Sequence, residues 1–265
     1  MFGNLSSKQK FIIQSVLILL SLVYVIPLFN VLLLSFRGGA NENYTQLFKT
    51  GMPIGRMLFN SFLVSFLQVI FIVFISSISA FAFSKMDFKF KGILYTLVML
   101  TMSIPLIALM TPLFTILKGL HLTNTYAALV LPAATFYMPV AILIQKNYYD
   151  ALGNEMMEAA LVDGSSWFGI YKNIYFPIGL PATINVVVFA FMQSWNDYLN
   201  PLLFSKTMDM YTFPMAIVSV TTTIRGSRPE VVAACLVIMA IPSIILYISL
   251  QKYLGEGMTA GAVKG

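Results

Sequence analysis

The stretch FIIQSVLILLSLVYVIPLFNVLLLSF, Phe11–Phe36, runs for 26 residues without a charged side chain. A helix that crosses the hydrocarbon core of a bilayer needs about 20 mostly apolar residues. The block is longer than the apolar region of a typical secretory signal peptide, and no A-x-A pattern ends it. We therefore expect it to be retained as a membrane helix.

Further apolar blocks of similar length follow along the chain: Met57–Ser84, Gly92–Leu117, Thr125–Gln145, Pro181–Phe204 and Val231–Tyr253. Backbone amides within lipid must be satisfied inside the segment, and these blocks lack the alternation of membrane strands. The composition agrees, with 58% hydrophobic residues, 10% charged residues and a mean hydropathy of +0.84. The sequence thus predicts an all-α, polytopic membrane protein with six transmembrane helices, which form one membrane domain over residues 1–265.

The distribution of Lys and Arg predicts the orientation. An even number of spans places both termini on one side, and the loops on that side hold slightly more Lys and Arg, including the compact loop KMDFKFK, Lys85–Lys91. We predict that both termini are cytoplasmic. The net charge of +6 is better explained by cations that anchor helix ends against anionic lipid than by nucleic-acid binding, because no basic patch with interleaved aromatic residues occurs.

Few residues are available for catalysis or metal binding. Cys235 is the only cysteine and His121 the only histidine, so a zinc cluster or a His-based catalytic triad lacks members. The phosphate-binding pattern GxxxxGK[ST] is absent, as is any Gly-Lys pair. We predict that the chain is not an enzyme, that it has no metal site and that it binds no cofactor itself.

Two prolines stand out in the third block. Pro105 and Pro112 lie seven residues apart, on nearly the same helix face, and each removes a backbone hydrogen bond and favours a kink. They could serve the shape of the helix alone, or they could form a flexible wall of a pathway. The sequence leaves both interpretations open.

A polar insert, EMMEAALVDGSSWFGIYKNIYFP (Glu155–Pro177), separates the fourth and fifth blocks. We predict a helix, a turn and a second helix, with Met157, Ala160 and Leu161 forming an apolar stripe on the first helix. The predicted boundaries are Asn154 as the first cap, Gly164 as the first stop, Ser165 or Ser166 as the second cap and Pro177 as the second stop.

The charge of this insert bears on what it contacts. A helix lying on lipid headgroups usually carries Lys and Arg, whereas this segment holds the acidic residues Asp150, Glu155, Glu158 and Asp163. An anionic leaflet would repel them. Because small residues also stand beside Glu158, we favour a docking element for a soluble partner over a helix that only rests on lipid.

The insert resembles the EAA loop of bacterial ABC importer permeases, whose pattern is E-A-A-x3-G-x9-I-x-L-P. The matching residues are Glu158, Ala159, Ala160, Gly164, Ile174 and Pro177, with Asp163 before the glycine and Phe176 in place of leucine. Family members often have proline near position 153, where this chain has Gly153.

Other parts of the chain are similar to carbohydrate-type permeases, among them the smaller maltose-permease-type subunit. These parts are Asn43-Tyr44, Asn60-Ser61, Leu122–Thr125, Trp195–Asp197, and a tail with Gln251–Tyr253 and Gly257–Gly265. The resemblance therefore extends over nearly the whole chain.

The resemblance implies a type I ABC importer permease in the bacterial cytoplasmic membrane, with a coupling helix in the loop of about residues 150–180. It implies half of a translocation pathway for a sugar, with an oligosaccharide favoured. The implied partners are a homologous second permease, two cytosolic ATPase subunits that use ATP and Mg²⁺, an extracytoplasmic solute-binding protein and membrane lipid.

The resemblance also implies roles for residues of the loop. Glu158 would pair with a basic residue in the ATPase cleft, and Ala159 and Ala160 would allow close approach. Gly164, preceded by Asp163, would set the bend. Ile174 and Pro177 would anchor the far end to the membrane domain.

The fifth block contains a polar stripe. On a continuous helix the five residues of this stripe lie on or beside an arc of about 80°, and they are Asn185, Gln193, Asn196, Asp197 and Asn200. Polar groups within a membrane usually face the bundle interior or water. They could bond to other helices, they could lie at a helix end near the membrane surface, or they could form a hydrophilic wall of the sugar path.

Other functions remain open on the sequence alone. The solute could be of another kind, such as a glycerol phosphate ester. An ion-driven transporter or channel would need ionisable groups at the midplane of several segments, and only Asp197 qualifies. A membrane enzyme would need a catalytic constellation that the sequence lacks.

Overall fold

The computed structural model describes residues 6–49, 51–223 and 228–259, and all regular structure in these ranges is helical. The helices are α1 (Ser7–Phe36), α2 (Ala40–Phe48), α3 (Ile54–Lys85), α4 (Lys91–Leu100), α5 (Leu106–Gly119), α6 (Tyr126–Ala151), α7 (Glu155–Val162), α8 (Trp167–Ile170), α9 (Phe176–Ile178), α10 (Leu180–Trp195), α11 (Leu199–Phe204), α12 (Phe213–Thr223) and α13 (Pro229–Thr259). A π-helical segment, Tyr171–Tyr175, joins α8 to α9. The prediction of an all-α fold is confirmed, and the end of the predicted tail motif, residues 260–265, lies outside the described residues.

Four helical segments in the described ranges are long and apolar enough to cross a membrane: Lys8–Phe36, Ile54–Lys85, Tyr126–Ala151 and Pro229–Tyr253. Two further candidates are bent pairs. The pair of segments Lys91–Ser103 and Leu106–Gly119 is bent by 102°, and the pair Trp167–Ile178 and Leu180–Trp195 by 76°. The described ranges therefore provide up to six spans by length and composition if each bent pair counts as one.

The break in the third block occurs at Pro105. A proline disfavours helical backbone at the preceding residue, and Ile104 is accordingly extended, with φ −86° and ψ 120°. Pro105 then stands at the N-terminus of α5, where its missing N–H costs least. The helix α5 continues through Pro112 without interruption.

The prediction of one helix over the fifth block, Pro181–Phe204, is wrong. The helix α10 ends at Trp195, and α11 begins at Leu199. A continuous helix would set the ring of Pro201 against the carbonyl of Asp197, four residues earlier. The Asp197 carboxylate instead accepts the backbone N–H of Asn200, in the first turn of α11, at 3.2 Å.

The chain divides into two compact units. Among the described residues, the smaller unit lies within 1–52 and 217–241, and the larger within 53–216 and 242–265. In the smaller unit, the buried Asn43 side chain donates to the carbonyls of Ser35 at 3.0 Å and Arg37 at 2.9 Å. These bonds fix α2 against the end of α1.

The larger unit is built around α3, which packs against α6 and α10. One core cluster between these helices is made of Ile72, Ala134, Ala141, Val186 and Ala190. Three of these five residues are alanines, and small residues let membrane helices approach closely. The three packed helices, α3, α6 and α10, form the scaffold on which the polar insert lies.

Candidate functional site

The first helix of the insert, α7, ends as the sequence predicts. Gly164 has φ +78°, a conformation that favours glycine, and nothing lies within 4 Å of the position a Cβ would take. The N–H groups of Gly164 and Ser165 bond back to the carbonyls of Leu161 at 3.0 Å and Ala160 at 2.9 Å. The chain therefore reverses at Gly164 without leaving these carbonyls unpaired.

The start of α7 differs from the prediction. Asn154 makes no side-chain capping bond, and its backbone is helical, with φ −89° and ψ −8°, rather than extended as a capping residue requires. Its side-chain Oδ1 instead accepts a hydrogen bond from Nζ of Lys85, on α3, at 2.9 Å. Asn154 thus links the insert to a neighbouring helix.

The second helix of the insert begins as predicted but does not end as predicted. Of the two serines considered, Ser166 is the cap, because its Oγ accepts the backbone N–H of Gly169 at 3.2 Å. Pro177 does not end this helix, which runs through the π-helical segment to Ile178. The N–H of Phe176 reaches back five residues to the carbonyl of Tyr171, and this wider turn makes room for the proline ring.

The bend into α10 comes at Gly179, which is buried. A Cβ at this position would lie 2.5 Å from a ring carbon of Tyr149 and 2.8 Å from the carbonyl oxygen of Tyr175. Only glycine fits here without displacing backbone. We call the segment from Glu155 to Ile178, which ends at this bend, the elbow.

The elbow has one buried face. Its Met157, Ala160, Ile170, Tyr171 and Tyr175 pack with Ala80 and Phe81 of α3 and with Tyr149 of α6. Ala160 is only 8% exposed, so it contacts the chain's own core. Leu161 does not share this face, because it is 38% exposed, and the predicted stripe therefore holds for Met157 and Ala160 but not for Leu161.

The opposite face of the elbow is exposed. It presents the carboxylates of Glu158 and Asp163 and the methyl group of Ala159. Apolar side chains flank them, among which Val162 is 88% exposed and Phe168 is 65% exposed. Of the predicted anchors, Ile174 is half-buried against the core cluster and Pro177 is exposed.

Three side chains of α3 hold the elbow and the short segment that precedes it. The hydroxyls of Ser77 and Tyr171 form a buried hydrogen bond of 2.7 Å. The ring of Phe81 lies 5.6 Å from that of Tyr171 and 5.2 Å from that of Tyr175, between centroids. The third, Lys85, bonds to the segment that precedes α7, with Nζ 2.6 Å from the carbonyl oxygen of Leu152.

At the other end of α3, a loop is held by residues of the carbohydrate-permease motifs. Asn60 donates to the carbonyls of Asp209 at 2.7 Å and Tyr211 at 2.9 Å, and its Oδ1 accepts the hydroxyl proton of Tyr126 at 2.8 Å. The hydroxyl of the adjacent Ser61 accepts the N–H of Phe213 at 2.8 Å. We call these contacts the loop clamp.

Asn124 holds the other side of the same loop. Its backbone has φ +64°, a conformation that asparagine tolerates better than most residues. Its Oδ1 accepts the N–H groups of Lys206 at 2.8 Å and Thr207 at 3.1 Å, and its own N–H bonds to the carbonyl of Phe204 at 2.7 Å. Sequence reasoning noted Asn60, Ser61 and Asn124 only as family resemblances, and their partners lie too far along the chain for a local pattern to reveal them.

The structure does not join the five polar residues of the fifth block into one stripe, because α10 ends at Trp195. Asn185 and Gln193 are half-buried on α10, and the Asn185 Oδ1 is buried without a hydrogen-bond partner among the described residues. Asn196 is exposed and donates to the carbonyl of Met192 at 2.8 Å. Asp197 and the buried Asn200 bond to each other.

Comparison with known proteins identifies the architecture. The family described as "Binding-protein-dependent transport system inner membrane component" matches residues 72–260. The arabinooligosaccharides transport system permease protein AraQ of Bacillus subtilis is 31% identical over 93% of each chain. The sulfoquinovosyl glycerol transport system permease protein SmoH of Agrobacterium fabrum is 30% identical over 84% of this chain and 78% of its own.

A solved structure has the same fold. A chain in the crystal structure of a bacterial ABC transporter involved in the import of the acidic polysaccharide alginate matches with a TM-score of 0.79 and 18% identity. The match covers 95% of this chain and 99% of that one.

Proposed function

The chain belongs to the family of binding-protein-dependent transport system inner membrane components, and from this premise we propose that it forms half of the translocation pathway of an ATP-driven carbohydrate importer. The observation that carries this proposal is the elbow. It presents an acidic, small-residue face outward while its other face is fixed to α3 and α6. A helix held in this way is suited to receive a push from a soluble partner.

The exposed face defines what the partner must offer. No ion pair or hydrogen bond from the described residues reaches the Glu158 carboxylate, so it is available to a basic side chain in a partner cleft. Ala159 adds only a methyl group and permits close approach. Ala160 is buried inward and serves instead to seat α7 on its scaffold. Gly164 sets the reversal, Asp163 adds a second charge beside it, and Ile174 and Pro177 belong to the arm that returns to the membrane.

The partner that supplies the energy is a separate ATPase, because this chain lacks the phosphate-binding loop. Two cytosolic ATPase subunits that bind ATP and Mg²⁺ would grip one elbow each, with a homologous second permease providing the other elbow. Closure of the ATPase pair would move the elbows, and the permease pair would rock between inward-facing and outward-facing states.

The elbow then lies on the cytoplasmic side. Four spans precede α7 when the bent pair Lys91–Ser103 and Leu106–Gly119 counts as one span, so the N-terminus lies on the same side. The fifth span then begins within the elbow, at Trp167, and Pro229–Tyr253 is the sixth, which places the C-terminus on that side as well. A solute-binding protein would deliver the substrate on the opposite side.

A carbohydrate substrate is supported by the relatives, since the most similar ones include a permease named for arabinooligosaccharides and one named for a sulfoquinovosyl glycerol. On α10, Asn185 has an unpartnered buried oxygen and Gln193 is half-buried nearby in sequence. These two amides are the better candidates for contact with sugar hydroxyls. Asn196 donates to its own helix, and Asp197 accepts the amide of Asn200. The Asn200 Oδ1 is also buried without a partner among the described residues, but the Asn200 amide group is already engaged with Asp197.

Co-purification tests the proposal. The tagged chain is isolated from its native membrane in mild detergent, and its companions are identified by mass spectrometry. We expect a second permease and an ATPase, and we expect vesicle uptake to stop when the ATPase is washed away and to resume when it is returned.

The substrate is then found with the associated binding protein, by calorimetry against neutral oligosaccharides, a sulfonated sugar glyceride and a glycerol phosphate ester. Uptake that persists after complete removal of ATPase, or that follows an ion gradient, would contradict the proposal.

A further inference from the structure

We propose that Lys85 is a positioning residue that makes α7 move together with α3, so that α3 carries the displacement of the elbow into the membrane. This inference rests on the proposed function, because it assigns the route by which the elbow acts. It concerns the three residues Leu152–Asn154, which join α6 to α7 and which we call the hinge.

Backbone bonds link the hinge ends to the flanking helices, from the N–H of Leu152 to the carbonyl of Tyr149 and from the N–H of Glu158 to the carbonyl of Asn154. Side chains of other elements hold it in addition. Nζ of Lys85 donates to the carbonyl oxygen of Leu152 at 2.6 Å and to Oδ1 of Asn154 at 2.9 Å. The hydroxyl of Tyr175 donates to the carbonyl oxygen of Gly153, between them, at 3.3 Å. The ammonium group also lies 5.5 Å from the centroid of the Tyr175 ring. Each hinge residue is therefore tied, and Lys85 ties the first and the last.

These contacts belong to one face of α3. Ser77, Phe81 and Lys85 are spaced by four residues, so their side chains follow one another along the same side of the helix. Ser77 and Phe81 bind the returning arm through Tyr171 and Tyr175, and Lys85 binds the hinge. The elbow is consequently docked at both of its ends along the last two turns of α3.

This arrangement decides what happens when α7 is pushed. Without Lys85, three hinge residues outside regular structure could rotate and absorb the displacement. With Lys85 in place, rotation of the hinge must break charge-assisted hydrogen bonds, so α3 follows α7. The lysine also stands in the last turn of α3, where a cation is favoured by the helix dipole.

A neighbouring contact provides a matched control. The hydroxyl of Ser84 donates to Asp150 at 2.7 Å, and Lys146 pairs with the same carboxylate at 2.6 Å. This brace joins α3 to the end of α6 but does not reach the hinge. Ser84→Ala therefore removes a polar contact of α3 one residue away and leaves the hinge bonds intact.

The first measurement uses the full chain alone in lipid nanodiscs. Spin labels are placed at Val162→Cys, on α7, and Asp87→Cys, just after α3, in a Cys235→Ala background, since both labelled side chains are exposed. We expect one narrow distance distribution for the parent and for Ser84→Ala, and a broad one for Lys85→Met. Lys85→Arg should restore a narrow distribution, and Asn154→Ala, which removes one acceptor, should broaden it less.

The second measurement uses the assembled transporter. Lys85→Met should retain the ATPase at the parental level but lower the sugar transported per ATP hydrolysed by about fivefold, within the range that coupling mutations produce. A Lys85→Met distribution as narrow as the parent's would overturn the inference whatever the ATPase does. A broad distribution with an unchanged coupling ratio would also overturn it. If no ATPase accompanies even the parent, it is the proposed function that fails, and the coupling half of this inference fails with it.

Discussion

The two ends of α3 are held by different chemistry. At its start, the fully buried amide of Asn60 joins two loop carbonyls to a tyrosine hydroxyl. The exposed Arg56 donates to the same Asp209 carbonyl at 3.4 Å and to the same Tyr126 hydroxyl at 3.3 Å. At its end, Lys85 is half-buried and holds the hinge with a positive charge. One helix thus connects a clamp centred on a buried, neutral amide with a clamp centred on a half-buried cation.

The difference indicates which end is fixed and which end is driven. A buried polar network is stable only while every member is paired, because a buried group that loses its partner cannot form a hydrogen bond to water instead. The half-buried Lys85 keeps part of its hydration, so α3 and the hinge can move together without leaving a buried charge unpaired. We infer that the loop clamp keeps its geometry throughout the cycle and that the elbow end is where displacement enters. The predictions below test this contrast.

The largest effect is expected from reversing the charge that the elbow presents. Glu158→Lys should lower uptake by at least about 100-fold, because truncating or opposing one member of a buried interfacial charge pair costs about 2–5 kcal/mol. The ATPase recovered with the chain should fall in parallel, while the chain itself should remain in the membrane at the parental level. Asp87→Lys is the matched control, since its side chain is fully exposed beyond the end of α3. Equal losses in both variants would contradict a specific role for Glu158.

The next largest effect is expected at the fixed end. Asn60→Leu leaves the carbonyls of Asp209 and Tyr211 and the hydroxyl of Tyr126 without this partner, which should lower the stability of the chain by about 2–4 kcal/mol. Thermal unfolding of the purified chain in detergent measures the loss. The control Asn196→Leu makes the same chemical change at an exposed residue that bonds only to its own helix, and it should alter stability by at most about 0.5 kcal/mol. If Asn60→Leu unfolds at the same temperature as the parent, the loop clamp does not depend on Asn60. The proposed contrast between the two ends of α3 then fails.

The helices themselves could be predicted from the sequence because membrane-spanning hydrophobicity is a local property. The blocks around α3 and α6 needed no knowledge of their neighbours. The bend at Gly179 could not be predicted without such knowledge. Glycine is required there because the ring of Tyr149, thirty positions earlier, and the carbonyl of Tyr175 leave no room for a side chain. The break after Trp195 depends on Pro201 and Asp197, and the hydrophobicity that defines the fifth block does not register the effect of either residue on the helix.

The candidate site shows the same division. The reversal at Gly164 and a cap at Ser165 or Ser166 were predicted because each needs only a few consecutive residues, and the structure places the cap at Ser166. The role of Lys85 could not be predicted, because its acceptors lie 67 and 69 residues further along the chain. In the sequence its only evident meaning was a positive charge in a basic loop.

A smaller effect is expected at the reversal that ends α7. Gly164→Asp should uncouple ATP hydrolysis from uptake and lower uptake by about tenfold, because the added carboxylate would stand where a partner approaches and a side chain at φ +78° is strained by about 1 kcal/mol. Gly164→Ala carries the same backbone strain without the charge, and no atom lies within 4 Å of its new methyl group. It should retain most of the uptake. If alanine is as harmful as aspartate, the backbone rather than the exposed surface of the elbow is what matters at Gly164.

The smallest effect is expected at the cap of the returning arm. Ser166→Ala removes the hydrogen bond to the N–H of Gly169 and should destabilise the start of α8 by about 1 kcal/mol. Because Ser77 and Phe81 still hold Tyr171 and Tyr175, the loss should stay local and uptake should fall less than twofold, which is below about 0.4 kcal/mol. Hydrogen exchange over Trp167–Tyr171 measures the local loosening. The control is Ser165→Ala, because the capping bond is made by Ser166 and not by Ser165. Loosening that spread to the hinge would mean that the cap, and not the α3 face, holds the elbow in place.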